Sequence, residues 1–308
     1  MTDDWDDNTI SVLRTEQCNP ETKGIASLPT IGILQKINDL DQTVATAVRE
    51  ALPQVALAVE LITKKLESGG RLVYAGAGTS GRLGFMDAAE CAPTYGTDRV
   101  CCVIAGGRDA VFRAKETMED ESDLAAKDFE SIGLAANDVL FAIAASGRTP
   151  YCIAALDYAA KVGAARVSLS CNRGAIISVH AQIGIELETG PEVVMGSTRM
   201  KAGTAEKMVM NMISTAVMIR LGRTWDNLMI KLNCKNQKGR NRAARIFAEA
   251  TGKSDLAYAR KALDNADGSL EIAVLTELTG AAKDEADEAL EKCGRYFSKA
   301  LDLLRANR

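Results

Sequence analysis

Five short apolar runs divide the middle of this chain, and segments whose apolar residues recur at helical spacing separate them. The runs are Leu72–Ala75, Val100–Ala105, Val139–Ala144, Arg166–Ser170 and Ile183–Glu188. The helical segments between them are Gly81–Cys91, Ala110–Phe129, Pro150–Val162 and Ala175–Val179. Near-continuous apolar strands that alternate with helices indicate a parallel sheet covered on both faces. The pattern therefore predicts an α/β protein with a five-stranded parallel sheet flanked by helices.

Helical spacing also precedes the first run. Apolar residues recur at that spacing from about residue 30 to residue 68, and Pro53 separates or opens a helix there, since proline is tolerated in a first turn. Residues 1–30 predict an irregular arm instead, because Pro20, Gly24 and Pro29 interrupt regular structure. The α/β domain is predicted to follow over residues 31–240.

Beyond the fifth run the strand–helix alternation stops. Thr204–Leu221 predicts one strong helix, whose Met-rich stripe is typical of core packing. From about Asn241 the chain becomes charged and Ala-rich. Helical periods recur there near residues 242–250, 255–264, 268–276 and 281–304, with Gly252, Gly268 and Gly280 as predicted stops. We therefore predict a small C-terminal all-helical subdomain over residues 241–308.

The composition is that of a globular protein, with 47% apolar and 25% charged residues. A net charge of -4 argues against a general nucleic-acid binder, which needs clustered Lys and Arg. No apolar run reaches the ~20 residues that a membrane span requires. The N-terminal sequence MTDDWDD is acidic and opens no apolar stretch, so it does not resemble a signal peptide. We expect neither a nucleic-acid nor a membrane partner, and a cytoplasmic location.

Cysteine and histidine usage narrows the chemistry. The eight cysteines are scattered without C-x-x-C spacing, which favours reduced core thiols over disulfides or a metal site. His180 is the only histidine, so Ser-His-Asp catalysis and His-based metal sites have little to build on. We expect no metal and no other cofactor. Any acid–base chemistry would then depend on carboxylates, Lys or Tyr.

Three turns rich in small and hydroxyl residues carry the candidate binding site. They belong at the carboxyl edge of the predicted sheet, where ligands of open α/β sheets bind. Glycines let the backbone approach an anion, hydroxyls add donors, and free N–H groups at a helix start favour negative charge. Any one turn could merely cap its helix, but three on one edge favour a phosphorylated ligand. The candidate residues are Gly78, Thr79, Ser80 and Gly81, then Ser146, Gly147, Arg148 and Thr149, then Ser197, Thr198, Arg199 and Lys201.

The first turn also matches two nucleotide motifs incompletely. Gly76, Gly78 and Gly81 fit G-x-G-x-x-G, but the acidic partner expected ~20 residues on would fall near the start of the next strand instead of its end. Gly76 and Gly81 also begin a P-loop pattern, which Arg82 and Leu83 break by replacing its lysine and its hydroxyl residue. ATP hydrolysis is therefore not expected.

At these turns the chain resembles the sugar isomerase (SIS) superfamily, whose members hold phosphosugars in Ser/Thr turns. Longer blocks resemble one family within it, the N-acetylmuramic acid 6-phosphate etherases. The blocks are GRLVYAGAGTSGRLGFMDAAECAPTYG, IAASGRTPYCIAALDYA, SCN and EVVMGSTRMKAGTAEKMVMNMIST. The resemblance implies a flavodoxin-like SIS fold and a homodimer with its site at or near the subunit interface. It also implies a lyase that removes D-lactate from a phosphorylated amino sugar during cell-wall sugar recycling.

The resemblance also implies two catalytic carboxylates. The family's glutamate in D-A-S-E-C-P-P-T falls on Glu90 of DAAECAPT, and its second functional glutamate falls on Glu119 of ETMED. Ala89 and Ala92 depart from the first motif without removing a titratable group. We expect Glu90 to protonate the departing lactate and later activate water, and Glu119 to be the base at C2 of the sugar. Without the resemblance, both would be interpreted as surface acids of a helix or an acidic run.

The spacing of Glu90 raises a question of geometry. It lies ten residues beyond Ser80, which is ~15 Å along a regular helix. Either the helix stops early and folds back, or Glu90 serves a site that a partner subunit completes. Two other functions stay open at this point. One is a non-catalytic sugar-phosphate sensor like the glucokinase regulatory proteins, which are longer and carry a duplicated SIS domain. The other is an aldose–ketose phosphate isomerase.

Overall fold

The computed structural model describes residues 12–232 and 236–307. Residues 1–11 of the predicted arm and Cys234 lie outside the described residues. The described chain forms two compact units. Of the described residues, the first unit takes in 12–88 and 99–214, and the second takes in 89–98, 215–232 and 236–307. The domain limits predicted from the sequence remain predictions.

The first unit holds the five-stranded sheet. Its strands are β1 (Leu72–Gly76), β2 (Val100–Ile104), β3 (Val139–Ile143), β4 (Ala165–Ser170) and β5 (Ile183–Glu186). They lie in the order β2-β1-β3-β4-β5, and every neighbouring pair is parallel. The predicted α/β fold with a five-stranded parallel sheet is confirmed. The strand order changes direction between β1 and β3, and that switch point is where such sheets bind ligands.

Helices surround the sheet and follow it in the chain. The helices before and between the strands are α1 (Thr30–Asp41), α2 (Val44–Glu50), α3 (Leu52–Glu67), α4 (Gly78–Tyr95), α5 (Asp109–Phe112), α6 (Ser122–Ser131), α7 (Pro150–Val162) and α8 (Ile176–Val179). Those after the sheet are α9 (Lys201–Arg220), α10 (Gln237–Thr251), α11 (Leu256–Asn265), α12 (Leu270–Thr279), α13 (Lys283–Lys292) and α14 (Phe297–Ala306). Pro53 lies in the first turn of α3, as its position predicted.

The predicted single helix over Ala110–Phe129 is wrong. The segment contains α5, a 3₁₀ turn at Glu116–Glu119 and α6. The guanidinium of Arg82 donates to the carbonyl oxygens of Val111 and Arg113, at 3.2 Å each. A continuous helix would use those two carbonyls for its own N–H groups four residues on, so a long-range contact breaks the helix where local periodicity predicted none.

The predicted helix over residues 281–304 is wrong in the same way, because α13 and α14 replace it. Gly294 and Arg295 adopt positive φ angles of 60° and 62° between them. The Arg295 N–H donates back to the Leu290 carbonyl at 2.7 Å, which closes the end of α13. Gly252 and Gly280 are left-handed C-caps of α10 and α12, as predicted.

The core of the first unit lies around β1 and β3, whose residues are all buried. Buried Asp87 on α4 accepts from Tyr74 of β1 at 2.8 Å, and also from Asn211 and Ser214 of α9. Hydrogen bonds from several donors offset the desolvation energy that a buried carboxylate would otherwise cost. These bonds fix α4 and this part of α9 against the strand that leads to the first turn.

The second unit has a helical core of its own. Phe247, Phe297 and Leu290 are among its fully buried residues. Lys231 pairs with Glu271 at 3.4 Å, and both side chains are largely buried. Burial lowers the pKa of Lys231 and raises the pKa of Glu271. Among the residues that the structure describes, no helix is both long enough and apolar enough to cross a membrane.

The turn from β1 into α4 is tighter than any residue but glycine allows. A Cβ on Gly81 would lie 2.7 Å from the Gly76 oxygen and 2.6 Å from the Ile104 side chain. A Cβ on Gly76 would lie 2.8 Å from the Gly81 nitrogen. The missing side chains let the start of α4 rest directly on the end of β1.

We expect Gly81→Ala to lower the free energy of unfolding by about 2 kcal/mol, because the added methyl must displace backbone. Gly203→Ala is the matched control, since its Cβ would meet neighbours at 3.5 Å, an ordinary contact distance. Alanine there is expected to be neutral or to stabilise the helix by up to about 1 kcal/mol. Urea denaturation of both variants checks this, and equal losses would contradict the close-packing explanation.

Candidate functional site

A pocket of about 310 Å³ opens at the carboxyl ends of β1 and β3. It lies at the switch point of the sheet and entirely within the first unit. All three predicted turns contribute to its wall. The contributing turn residues are Gly78, Thr79 and Ser80, then Ser146, Arg148 and Thr149, then Thr198. The topology therefore brings together most of the residues that the sequence singled out.

The first turn is the N-terminus of α4. Gly78 has a positive φ of 50°, which favours glycine, and begins the helix. Thr79 is half-buried at the pocket wall. Gly81 is buried against Gly76, so it shapes the turn without lining the pocket. The unpaired N–H groups of the first turn of α4 supply the donors and the positive potential that an anion needs.

The second turn joins β3 to α7. Gly147 has a φ of 72° and packs against Ala175, where a Cβ would lie only 2.5 Å from the Ala175 methyl group. Gly147 is therefore structural and does not line the pocket. The Ser146 hydroxyl accepts from the Arg148 N–H at 3.2 Å. Thr149 is the N-cap residue of α7 but makes no side-chain capping bond, so its hydroxyl is not used to cap the start of the helix.

The third turn contributes less than predicted. Thr198 lines the pocket, whereas Ser197 and Arg199 do not. Lys201 is buried, and its ammonium donates to the Thr189 carbonyl oxygen at 2.7 Å. Burial lowers the pKa of this lysine. Lys201 is used inside the fold and does not line the pocket.

The two predicted catalytic glutamates occupy different places. Glu119 ends the 3₁₀ turn after α5, is an exposed residue and lines the pocket. Glu90 is exposed, belongs to the second unit and does not line this pocket. Since α4 runs unbroken from Gly78 to Tyr95, the option that the helix stops before Glu90 is wrong.

Sequence reasoning missed a buried carboxyl behind the first turn. Glu206 of α9 is 1% exposed, and the Ser80 hydroxyl lies 2.9 Å from its Oε1. Burial raises the pKa of Glu206 to about 8, although the hydrogen bond from Ser80 lowers it in part. Glu206 lies among the Met and Ala residues of a helix whose Met-rich stripe is typical of core packing. Nothing in that periodicity marks its contact with Ser80.

The N-terminal arm was also missed as part of the site. The Thr15 N–H donates to Asn172 Oδ1 at 3.3 Å, and Asn172 Nδ2 donates to the Thr15 hydroxyl and to the Ala145 carbonyl oxygen. These bonds fix the arm beside the second turn. Leu13 and Glu16 of the arm then line the pocket. The signal available in the sequence was the SCN block, which ends in Asn172.

Histidine and metal ligands do not enter this site. His180 pairs with Asp157 at 2.7 Å, and neither residue lines the pocket. Within residues 12–232 and 236–307, no group of three or more His, Cys, Asp or Glu side chains is arranged to hold a metal ion.

The fold and the turns define a class of protein. A family model described as "SIS domain" matches residues 123–216, and one described as "Glucokinase regulatory protein N-terminal SIS domain" matches residues 54–160. The chain is a SIS-domain protein, as the resemblance of its turns implied.

Curated relatives narrow the class. A protein of Halalkalibacterium halodurans named "N-acetylmuramic acid 6-phosphate etherase" is 50% identical over 95% of this chain and 98% of its own. A protein of the same name from Mycolicibacterium smegmatis is 48% identical over 95% of this chain and 98% of its own length. Another, from Bacillus subtilis, is 45% identical over 94% of this chain and 96% of its own length. This chain belongs to the family of N-acetylmuramic acid 6-phosphate etherases.

The burial of Glu206 predicts how stability depends on pH. Its pKa is raised in the folded protein, to about 8 from 4.5, so the folded chain keeps a proton that the unfolded chain releases. This contribution to stability is fully present below pH 4.5 and is lost as pH rises toward 8. Glu206→Gln removes the ionisable group and is therefore expected to be more stable than the parent at neutral and alkaline pH.

The difference in unfolding free energy between Glu206→Gln and the parent should widen between about pH 4.5 and pH 8, by on the order of 1 kcal/mol per unit of pH. Above pH 8 it should stay constant. Denaturant titrations across that range measure it, with Glu60→Gln as the control for losing one exposed carboxylate of the same unit. A gap that does not change with pH would contradict the buried-carboxyl interpretation.

Proposed function

We propose that this chain cleaves the D-lactyl ether of N-acetylmuramic acid 6-phosphate, giving N-acetylglucosamine 6-phosphate and D-lactate in cell-wall sugar recycling. The observation that carries the proposal is the sequence identity with proteins named for this activity, which is 50% and 48% over 95% of this chain. The pocket supports it from the chemical side, because hydroxyl groups from three loop tips converge there. These hydroxyl groups can donate hydrogen bonds to the oxygens of a phosphate without a metal ion between them.

Phosphate binding is the role proposed for the turns. A phosphate monoester offers only acceptor oxygens, so its site needs donors. The start of α4 provides backbone N–H groups. Hydroxyl groups at the pocket wall come from Thr79, Ser80, Ser146, Thr149 and Thr198. Arg148 adds a permanent positive charge at the same wall.

Elimination is the chemistry proposed for the carboxylates. An alkyl ether offers a poor leaving group in direct hydrolysis, because an alkoxide would have to depart. The open-chain sugar, however, has an aldehyde that makes its C2 proton acidic. Glu119 takes that proton as general base, and the C3–O bond breaks with its electron pair leaving on the lactate oxygen. Water then adds a hydroxyl to C3 and a proton to C2 of the unsaturated aldehyde. Both syn and anti elimination fit this sequence.

Glu90 is proposed as the acid that protonates the leaving lactate oxygen and then activates water. Because Glu90 does not line the pocket of its own chain, we propose that a partner subunit supplies it in a homodimer. The proposed homodimer and the proposed cytoplasmic location rest on the family resemblance. No metal or redox group takes part in the proposed sequence.

Release of D-lactate tests the proposed function directly. Purified protein incubated with N-acetylmuramic acid 6-phosphate should yield D-lactate and N-acetylglucosamine 6-phosphate in equal amounts. Tight binding of the sugar phosphate without any product would favour the sensor instead. Interconversion of aldose and ketose phosphates without lactate would favour the isomerase. Either outcome contradicts the proposal.

Charge-neutralising substitutions test the two carboxylates. Glu119→Gln and Glu90→Gln should each lower kcat by about 10²–10⁴-fold, the usual contribution of a positioned acid or base. Glu121→Gln is the matched control, since Glu121 is a neighbouring exposed acid that does not line the pocket. Near-normal turnover of a folded Glu90→Gln protein would contradict its acid role.

Mixed dimers test whether the site is shared. A Glu90→Gln subunit and a subunit defective in the second turn, such as Ser146→Ala with Thr149→Val, should be nearly inactive alone. Mixed at equal amounts and allowed to exchange, they should regain about a quarter of the parent activity, because each mixed dimer contains one intact site. No recovery in a mixture shown to form heterodimers would contradict sharing.

A further inference from the structure

We infer that Glu206 is a positioning residue for phosphate binding: its protonation state sets the direction in which the Ser80 hydroxyl donates, and thereby the affinity of the pocket. The inference rests on the proposed function, since it takes the pocket to bind the phosphate of the sugar. It concerns a residue on α9, outside the three turns.

The geometry isolates one hydrogen bond. Ser80 lines the pocket in the first turn of α4 and is 8% exposed. Its oxygen lies 2.9 Å from Oε1 of Glu206, which is 1% exposed and lies on the side of the turn away from solvent. Ser80 is therefore the link between the pocket wall and a carboxyl that water does not reach.

A serine hydroxyl has one proton to donate. When Glu206 is ionised it can only accept, so the Ser80 proton points inward and the pocket faces a serine lone pair. When Glu206 is protonated it can donate to Ser80, and the Ser80 proton is released toward the pocket. A phosphate dianion accepts hydrogen bonds and repels lone pairs, so it binds the second arrangement better.

The surroundings leave Glu206 as the group that titrates near neutral pH. Burial raises its pKa to about 8. The thiol groups near it are Cys152 of α7 and Cys171 after β4, and burial raises the pKa of Cys152 to about 12 and that of Cys171 well above its ordinary value. Both thiols stay neutral over the range in which Glu206 titrates. Besides Glu206, two acids raise the pKa of these thiols by their negative charge. Glu119 at the pocket acts on Cys152, and Glu192, which accepts from the N–H groups of Lys201 and Ala202 at the start of α9, acts on Cys171.

Phosphate binding should then be coupled to proton uptake above about pH 8. The bound dianion adds negative charge near Glu206, which favours its protonated form further. The second pKa of a phosphate monoester is about 6, so the ligand itself does not change charge in this range. A loss of affinity above pH 8 therefore reports the protein.

The experiment measures binding of N-acetylglucosamine 6-phosphate by titration calorimetry at pH 7 and pH 9. With a pKa of about 8 for Glu206, the parent should bind about tenfold more weakly at pH 9 and take up close to one proton there, seen as a dependence on buffer ionisation heat. Glu206→Gln presents a permanent amide donor to Ser80, so its affinity should be the same at both pH values and exceed that of the parent at pH 9. Ser80→Ala should bind weakly at both.

Three results would overturn the inference. The parent could bind equally well at both pH values, Glu206→Gln could retain the tenfold loss, or Ser80→Ala could retain it. The proton uptake of the parent decides the matter even if a variant fails to fold. Failure of the parent to bind the sugar phosphate at either pH, together with no D-lactate release, would instead remove the proposed function and the inference with it.

Discussion

The close approach of α4 to the end of β1 is the constraint on which the rest of the site depends. Gly76 and Gly81 touch backbone to backbone, so the N–H groups at the start of α4 lie at the switch point of the sheet. Any side chain at either glycine would push the helix outward. The same approach brings Ser80 against α9 and Thr79 to the pocket wall. The anion-binding role proposed for the pocket depends on this packing.

Polar groups inside the first unit also hold its segments in place. Asp87 joins α4 to β1 and α9, and Asn172 joins the N-terminal arm to the loop after β3. Buried polar groups are costly unless they are bonded, and bonded ones select one arrangement of the chain. Segments far apart in sequence are thereby held around one pocket. Ser80 and Glu206 belong to this set, 126 residues apart.

Local sequence patterns predicted the strands, and they failed where a distant group intervenes. β1 and β3 are buried at every position, and short apolar runs located them. Runs of the same kind located β2, β4 and β5, whose burial is less uniform. The break after α5 depends on Arg82, and the inward turn of Lys201 depends on Thr189. The turn motifs located the pocket, because parallel strands end at one edge. The contributions of Glu16 and Glu206 come from tertiary contacts that no spacing encodes.

The most direct test of the central claim is a crystal structure with N-acetylglucosamine 6-phosphate bound. The phosphate oxygens should lie about 3 Å from the hydroxyl groups of Thr79, Ser80, Ser146 and Thr149, with the sugar ring extending toward Glu119. A phosphate bound elsewhere on the chain while this pocket stays empty would contradict the assignment of the site. So would a sugar bound in the pocket with its phosphate turned away from the three loop tips.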